Sequence, residues 1–145
     1  MKRGFTLLEL IIVIIIIGIL ATLGFTQYAR LIEKARGAEA RTILGDLRKK
    51  AAGFRLERGS LAGIANDDLD VSANVGDTPS VCAPSHYFSY TISATADPSI
   101  TVQATRCAGG GKTPNAGAPT GGQTITLTTN LNSGVDTWGG TGPWD

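Results

Sequence analysis

Lys2-Arg3-Gly4-Phe5-Thr-Leu-Leu-Glu9-Leu-Ile-Ile-Val-Ile-Ile-Ile-Ile-Gly18-Ile-Leu-Ala21 opens the chain, and its reading decides the fold. From Phe5 to Phe25 the only charge is Glu9. A stretch of this length matches the roughly 20 apolar residues that an α-helix needs to cross about 30 Å of hydrocarbon. An isolated ionised side chain at the bilayer centre costs roughly 2.5 to 3.5 kcal/mol on insertion scales, so a carboxylate inside such a segment calls for a partner. Basic residues lie on both sides, Lys2 and Arg3 before the stretch and Arg30, Lys34 and Arg36 after it, so flanking charge does not set the orientation. A secretory signal peptide ends in a small-x-small cleavage site. The nearest candidate here, Thr22-Leu23-Gly24, matches poorly.

The helix is predicted to continue beyond the apolar stretch. No proline occurs between Phe5 and Glu57, and the segment is rich in Ala, Leu, Arg, Lys and Glu. At 1.5 Å per residue, a helix from Phe5 to Arg58 is about 80 Å long. Tyr28, Ile32, Ala35, Ile43, Leu47 and Phe54 fall on one side of it and are expected to seat a head. Asp46 can support Lys49 and Lys50, and Gly59 is placed to cap the end.

After Gly59 the composition turns to Ser, Thr, Asn, Asp, Gly and Pro. Ser60 to Ser80 reads as a connecting loop with one short helical turn near Asp67, Asp68 and Asp70. Those carboxylates lack the glycine and distal glutamate of a calcium loop, and a solvated loop is the better reading. Phe88 to Ile92, Ile100 to Ala104 and Ile125 to Thr128 alternate apolar with polar residues and read as half-buried strands, with a fourth from Val135 to Trp138. Asp97-Pro98-Ser99 supplies the first turn. The prediction is an α+β chain in which a long helix packs on a small antiparallel sheet. Its parts are residues 1–4, a helix over 5–58 with about 5–25 in the membrane, and a head over 59–145.

The formal net charge of +1 hides an asymmetry. Residues 26–58 carry nine Lys or Arg against four Asp or Glu, and residues 59–145 carry two against seven. That makes a +5 helix and a −5 head. Complementary fields of this kind can set the register of heads packed along stems; a solvated charge run is the plain alternative. Arg41, Arg48, Lys49, Lys50, Arg55 and Arg58 come without a base-reading motif, so no specific nucleic-acid partner is implied.

Cys82 and Cys107 are the only cysteines and flank the first two strands. In an exported domain such a pair forms a disulfide, and closing this loop stabilises the head by roughly 3 to 4 kcal/mol in the chain-entropy model. Gly109-Gly-Gly-Lys112-Thr113 resembles a phosphate loop only in part: the required earlier glycine falls on Arg106, and Pro114 stands where a helix should start. The chain has one histidine, His86, with no nucleophile motif beside it, so no catalysis, metal or cofactor is expected. Trp138 and Trp144 lie among glycines and are expected to pack the tail onto the sheet.

Met1-Lys-Arg-Gly4 followed by Phe5-Thr-Leu-Leu-Glu9 resembles the processing and assembly signature of type IV pilins and the type II secretion pseudopilins. The resemblance covers about the first 30 residues. It implies that Lys2 and Arg3 are leader charges, that a prepilin peptidase cleaves between Gly4 and Phe5, and that the new amino group of Phe5 is methylated. It also implies that Glu9 pairs with the amino terminus of a neighbouring subunit in a helical filament. The implied partners are copies of this chain or related pilins, the peptidase, the inner-membrane assembly machinery and, before assembly, the membrane. The implied location is the inner membrane for the precursor, then an extracellular pilus or a periplasmic pseudopilus. Many family members carry a helix-loosening proline about twenty residues after the cut. Here Gly18 and Gly24 occupy that region, and they are expected to supply the flexibility. Three readings stay open: a pilin, a pseudopilin of a secretion system, and a monomeric binding domain tethered to the membrane.

Overall fold

A computed structural model describes residues 5–73, 76–116 and 120–144. In chain order it contains helix α1 (Leu7–Arg58), a short 3-10 turn (Asn66–Leu69), and strands β1 (Phe88–Ala96), β2 (Ser99–Arg106), β3 (Thr124–Asn130) and β4 (Val135–Gly140). The chain divides after Ala35 into two compact units. The first holds the apolar part of α1. The second, from Arg36 onward, holds the rest of the helix and the whole sheet.

In the second unit the four strands form one antiparallel meander in the order β1-β2-β3-β4. Alternation places Phe88, Tyr90, Ile100, Val102, Ala104, Ile125 and Leu127 on the face that is buried with the helix. Their neighbours on the strands, among them Thr101, Gln103, Thr105, Thr124, Thr126 and Thr128, face the other way. The chain is therefore α+β, with α1 covering one face of the sheet.

The helix face that meets the sheet differs from the expected stripe. Ala40, Leu44, Leu47, Ala51 and Phe54 are buried, together with Gly37. Tyr28 is 62% exposed, Ala35 is exposed, and Ile43 is only partly buried. Spacings of three and four run from Gly37 through Phe54. The sequence reading weighted bulk, whereas the contact depends on small residues that let the sheet come close. The clearest case is Gly37: a Cβ there would overlap the indole ring of Trp144. Trp144 is 6% exposed and meets Phe88 edge-on, with centroids 5.4 Å apart. It packs as expected, whereas Trp138 is 43% exposed and lies beneath the Arg41 guanidinium.

The helix ends where Gly59 adopts φ 76° and its N–H donates to Arg55 O at 2.8 Å. The following loop covers the outer edge of β1. The Ile92 N–H donates to Asn66 Oδ1 and the Tyr90 N–H to Pro79 O, so backbone groups that an edge strand would expose are satisfied. Cys82 and Cys107 are disulfide-bonded, with Cα atoms 5.8 Å apart.

The charge asymmetry is spent largely within the chain. Arg48 binds Asp136 of β4 at 2.9 Å, Lys50 binds Asp70 at 2.8 Å, and Arg55 binds Asp97 at 2.8 Å. Asp136 also accepts from the buried Thr129 hydroxyl. Lys49 pairs with Asp46 on the helix itself, as its spacing predicts. The helix cations thus fix the register of helix on sheet in one chain.

Asp97 lies in the turn between β1 and β2, where its carboxylate accepts from Arg55 Nε and from the Leu61 N–H. The Arg55 hydrogen bond, aided by that of Leu61, holds its pKa below the usual 3.8. A depressed carboxylate contributes stability that is present above its unfolded value and lost as pH falls through the folded one. Thermal melting should therefore drop from pH 5 toward pH 3 less steeply in Asp97→Asn than in the unaltered chain. Equal slopes would remove Asp97 as a contributor.

Candidate functional site

The first unit carries the residues on which assembly is expected to turn. Lys2, Arg3 and Gly4 lie outside the described residues. Phe5 is 84% exposed, and α1 begins two residues later.

Thr6-Leu-Leu-Glu9 starts the helix by a reciprocal cap. The Thr6 N–H donates to Glu9 Oε2 at 2.9 Å, the Thr6 hydroxyl donates to the same oxygen at 2.8 Å, and the Glu9 N–H donates back to Thr6 Oγ1 at 3.3 Å. The Leu10 N–H donates to Thr6 O, which closes the first turn. This is a capping box: it satisfies donors that the helix start would leave without partners, and its anion lies at the positive end of the helix dipole. The spacing was visible in the sequence as Thr-x-x-Glu, but reading Glu9 only as a charge in an apolar run passed over it.

Two consequences follow for the chemistry. All the Thr6 and Glu9 groups in the cap lie on the carboxyl side of the Gly4-Phe5 bond, and the Thr6 nitrogen remains an amide if that bond is cut. Cleavage there would leave the cap intact and place a cationic amine on Phe5, next to it. Second, both Thr6 donors use Oε2, while Oε1 accepts no hydrogen bond from a described residue. One oxygen closes the helix, and the other is open to an outside cation.

Beyond Glu9 the helix is apolar all round and uncovered. Leu10, Ile14, Ile17, Leu20 and Leu23 are each at least 58% exposed, and the most apolar window has a mean hydropathy of 2.9. By length and composition it can cross a membrane. A surface this apolar is stable only in lipid or against other apolar helices.

Gly18 and Gly24 lie within this unbroken helix, and a Cβ at either would meet nothing within 4 Å. Neither glycine is demanded by packing inside one chain. Between them the Thr22 hydroxyl donates to Ile19 O at 2.8 Å, a side-chain bond to the preceding turn of the sort that bends helices.

Elsewhere the polar residues singled out in the sequence have structural partners. Asp68 accepts from the Ala65 N–H, Asp70 holds Lys50, and His86 Nδ1 lies 2.7 Å from the Ser85 hydroxyl in a turn.

Residues 1–25 match the family described as the prokaryotic N-terminal methylation motif. The chain carries the prepilin-type signature shared by type IV pilins and pseudopilins. That signature implies processing by a prepilin peptidase and pilin-type assembly in general. With the apolar helix it points to a precursor anchored in the membrane.

Proposed function

We propose that this chain is a structural subunit of a type IV pilus-like helical filament, with no catalytic chemistry of its own. The observation that carries the reading is the divided role of the Glu9 carboxylate, whose Oε2 closes its own helix while Oε1 is left open. Prepilin cleavage between Gly4 and Phe5 creates the complementary cation. In a bundle of apolar helices the dielectric is low, so an amine and a carboxylate attract far more strongly than in water. The amine of Phe5 and Oε1 of Glu9 are less than two helical turns apart along one chain. A small axial stagger between neighbouring helices brings one subunit's amine to the next subunit's carboxylate.

The membrane serves as the reservoir. Precursor helices rest in lipid, where their apolar surface is solvated by acyl chains, and they leave it only for an equally apolar surface, the core of a filament. Gly18 and Gly24 weaken the helix between the anchoring turn and the folded unit, and they take the place of a proline as the point where subunits stretch on packing.

Mass spectrometry of the protein recovered from its native membrane tests the first step. An amino terminus at N-methylated Phe5 is expected. A mature chain beginning at Met1, or at Phe25 or beyond, would replace the filament subunit with a tethered or secreted single domain. Surface filaments that contain the chain support the pilus reading; a secretion defect on its loss, without such filaments, would assign it to a pseudopilus.

A further inference from the structure

Gly109-Gly-Gly-Lys112-Thr113 is no nucleotide loop, yet the fold gives its lysine a defined position. The Lys112 N–H donates to His86 O at 2.8 Å. Gly111 is buried against Cys107, whose side chain a Cβ at Gly111 would overlap. Cys107 is itself tied to Cys82, so the loop is pinned at its base. From there the Lys112 ammonium lies 5.0 Å from the centroid of the Tyr87 ring.

Two more cations converge on that ring. The Arg36 guanidinium reaches it from α1 at 4.4 Å, and the Arg106 guanidinium from the end of β2 at 5.1 Å. Arg106 is fully buried, and it donates from Nη1 to Tyr87 O at 3.0 Å and from Nη2 to Pro114 O at 3.4 Å. It cannot move toward a ligand, but its charge acts through a poorly screened interior. Arg36 is partly exposed and Lys112 is exposed. Lys112 forms no ion pair with a described carboxylate. Three positive charges around one ring lie within roughly a Debye length of each other, about 10 Å at 0.1 M salt, so an anion brought to the ring gains from all of them. A planar guanidinium fork and a mobile ammonium are the two groups with which proteins hold phosphate oxygens.

We propose that Arg36 and Lys112, backed by Arg106, form a binding site for a phosphate-class oxyanion beside Tyr87. An anionic phospholipid headgroup is one source of that chemistry, and this part rests on the membrane-anchored reading. Free phosphate is the other source, and the site itself does not depend on the filament reading.

The full chain, reconstituted in phosphatidylcholine nanodiscs, is titrated with inorganic phosphate while side-chain NMR signals of Arg36 and Lys112 are followed. A second preparation carries phosphatidylglycerol in the disc. A saturable shift of both signals is expected. Binding should weaken at least tenfold in Arg36→Gln/Lys112→Gln and by a smaller factor in Lys112→Gln alone. The latter replaces an exposed side chain and keeps the fold, which an unchanged melting temperature verifies. A shift with phosphatidylglycerol that added phosphate does not displace names the lipid as source; a shift with phosphate in phosphatidylcholine discs names the free ion. No shift in either preparation, or one that persists in the double variant, overturns the site. An uncut Gly4-Phe5 bond in cells, with the shift intact, would overturn the filament reading and leave the anion site standing.

Discussion

A Glu9→Ala chain is expected to enter the membrane and to be cut between Gly4 and Phe5 as usual, but to yield no filaments. The substitution removes both functions of the carboxylate at once: the cap on Thr6 and the acceptor for a neighbouring amine. Glu9→Gln separates them. A glutamine oxygen can still accept from the Thr6 N–H and hydroxyl, because Gln serves in the capping box as Glu does, but it carries no charge. Assembly is therefore expected to fail in Glu9→Gln as well, with filament yield down by an order of magnitude or more, since the amine of the next subunit would be buried without a counter-charge. Thr6→Val should do the reverse, fraying the first turn while keeping the charge, and should reduce the yield only modestly. Electron microscopy of sheared filaments, with immunoblots of cleaved and uncleaved chain, reads all three. Wild-type filaments from Glu9→Gln would show that the cap, not the ion pair, is what Glu9 provides.

The second large effect concerns stability. Trp144→Ala is expected to destabilise the unit from Arg36 onward by about 3 to 5 kcal/mol, the usual cost of deleting a buried tryptophan. For a unit of this size that lowers the melting temperature by roughly 10 to 20 °C. Gly37→Ala should also destabilise, because the new methyl would overlap the indole that packs on Gly37. In the double variant the second penalty should vanish or change sign. With the indole gone, alanine is simply the better helix former, by about 1 kcal/mol. A double-mutant cycle measured by thermal melting of the full chain in detergent reads this coupling. Additive penalties would place the two residues out of contact.

These expectations also show where the sequence was informative. The sheet was legible because strand periodicity is local: each run of alternating residues from Phe88 to Trp138 carries its own signal, and all four strands formed where the alternation lay. The strands run longer than the apolar residues alone indicate, with β1 continuing to Ala96 past a bulge after Ile92, on an exposed segment where burial leaves no pattern. The helix was legible as a helix, but the phase of its buried face was not. Gly37, Ala40 and Ala51 contribute by being small, and periodicity scores built on large apolar residues look past them. The ion pairs were illegible for another reason. Arg55 and Asp97 are 42 residues apart, and nothing near either one names the other before the fold brings them together. At the amino terminus the letters of the cap were present, and the membrane setting drew attention away from them.

The meander has a bearing on how the exported part is made. Every strand pairs with the one before it in the chain, so the sheet is built from successive hairpins. Such short-range pairings close on a microsecond scale and keep contact order low. Cys82 and Cys107 enclose only the first hairpin. An oxidant can therefore join them once β2 has zipped onto β1, before β3 and β4 are in place. A chain emerging on the far side of a membrane would lock the half of its sheet that arrives first and fold the rest against it.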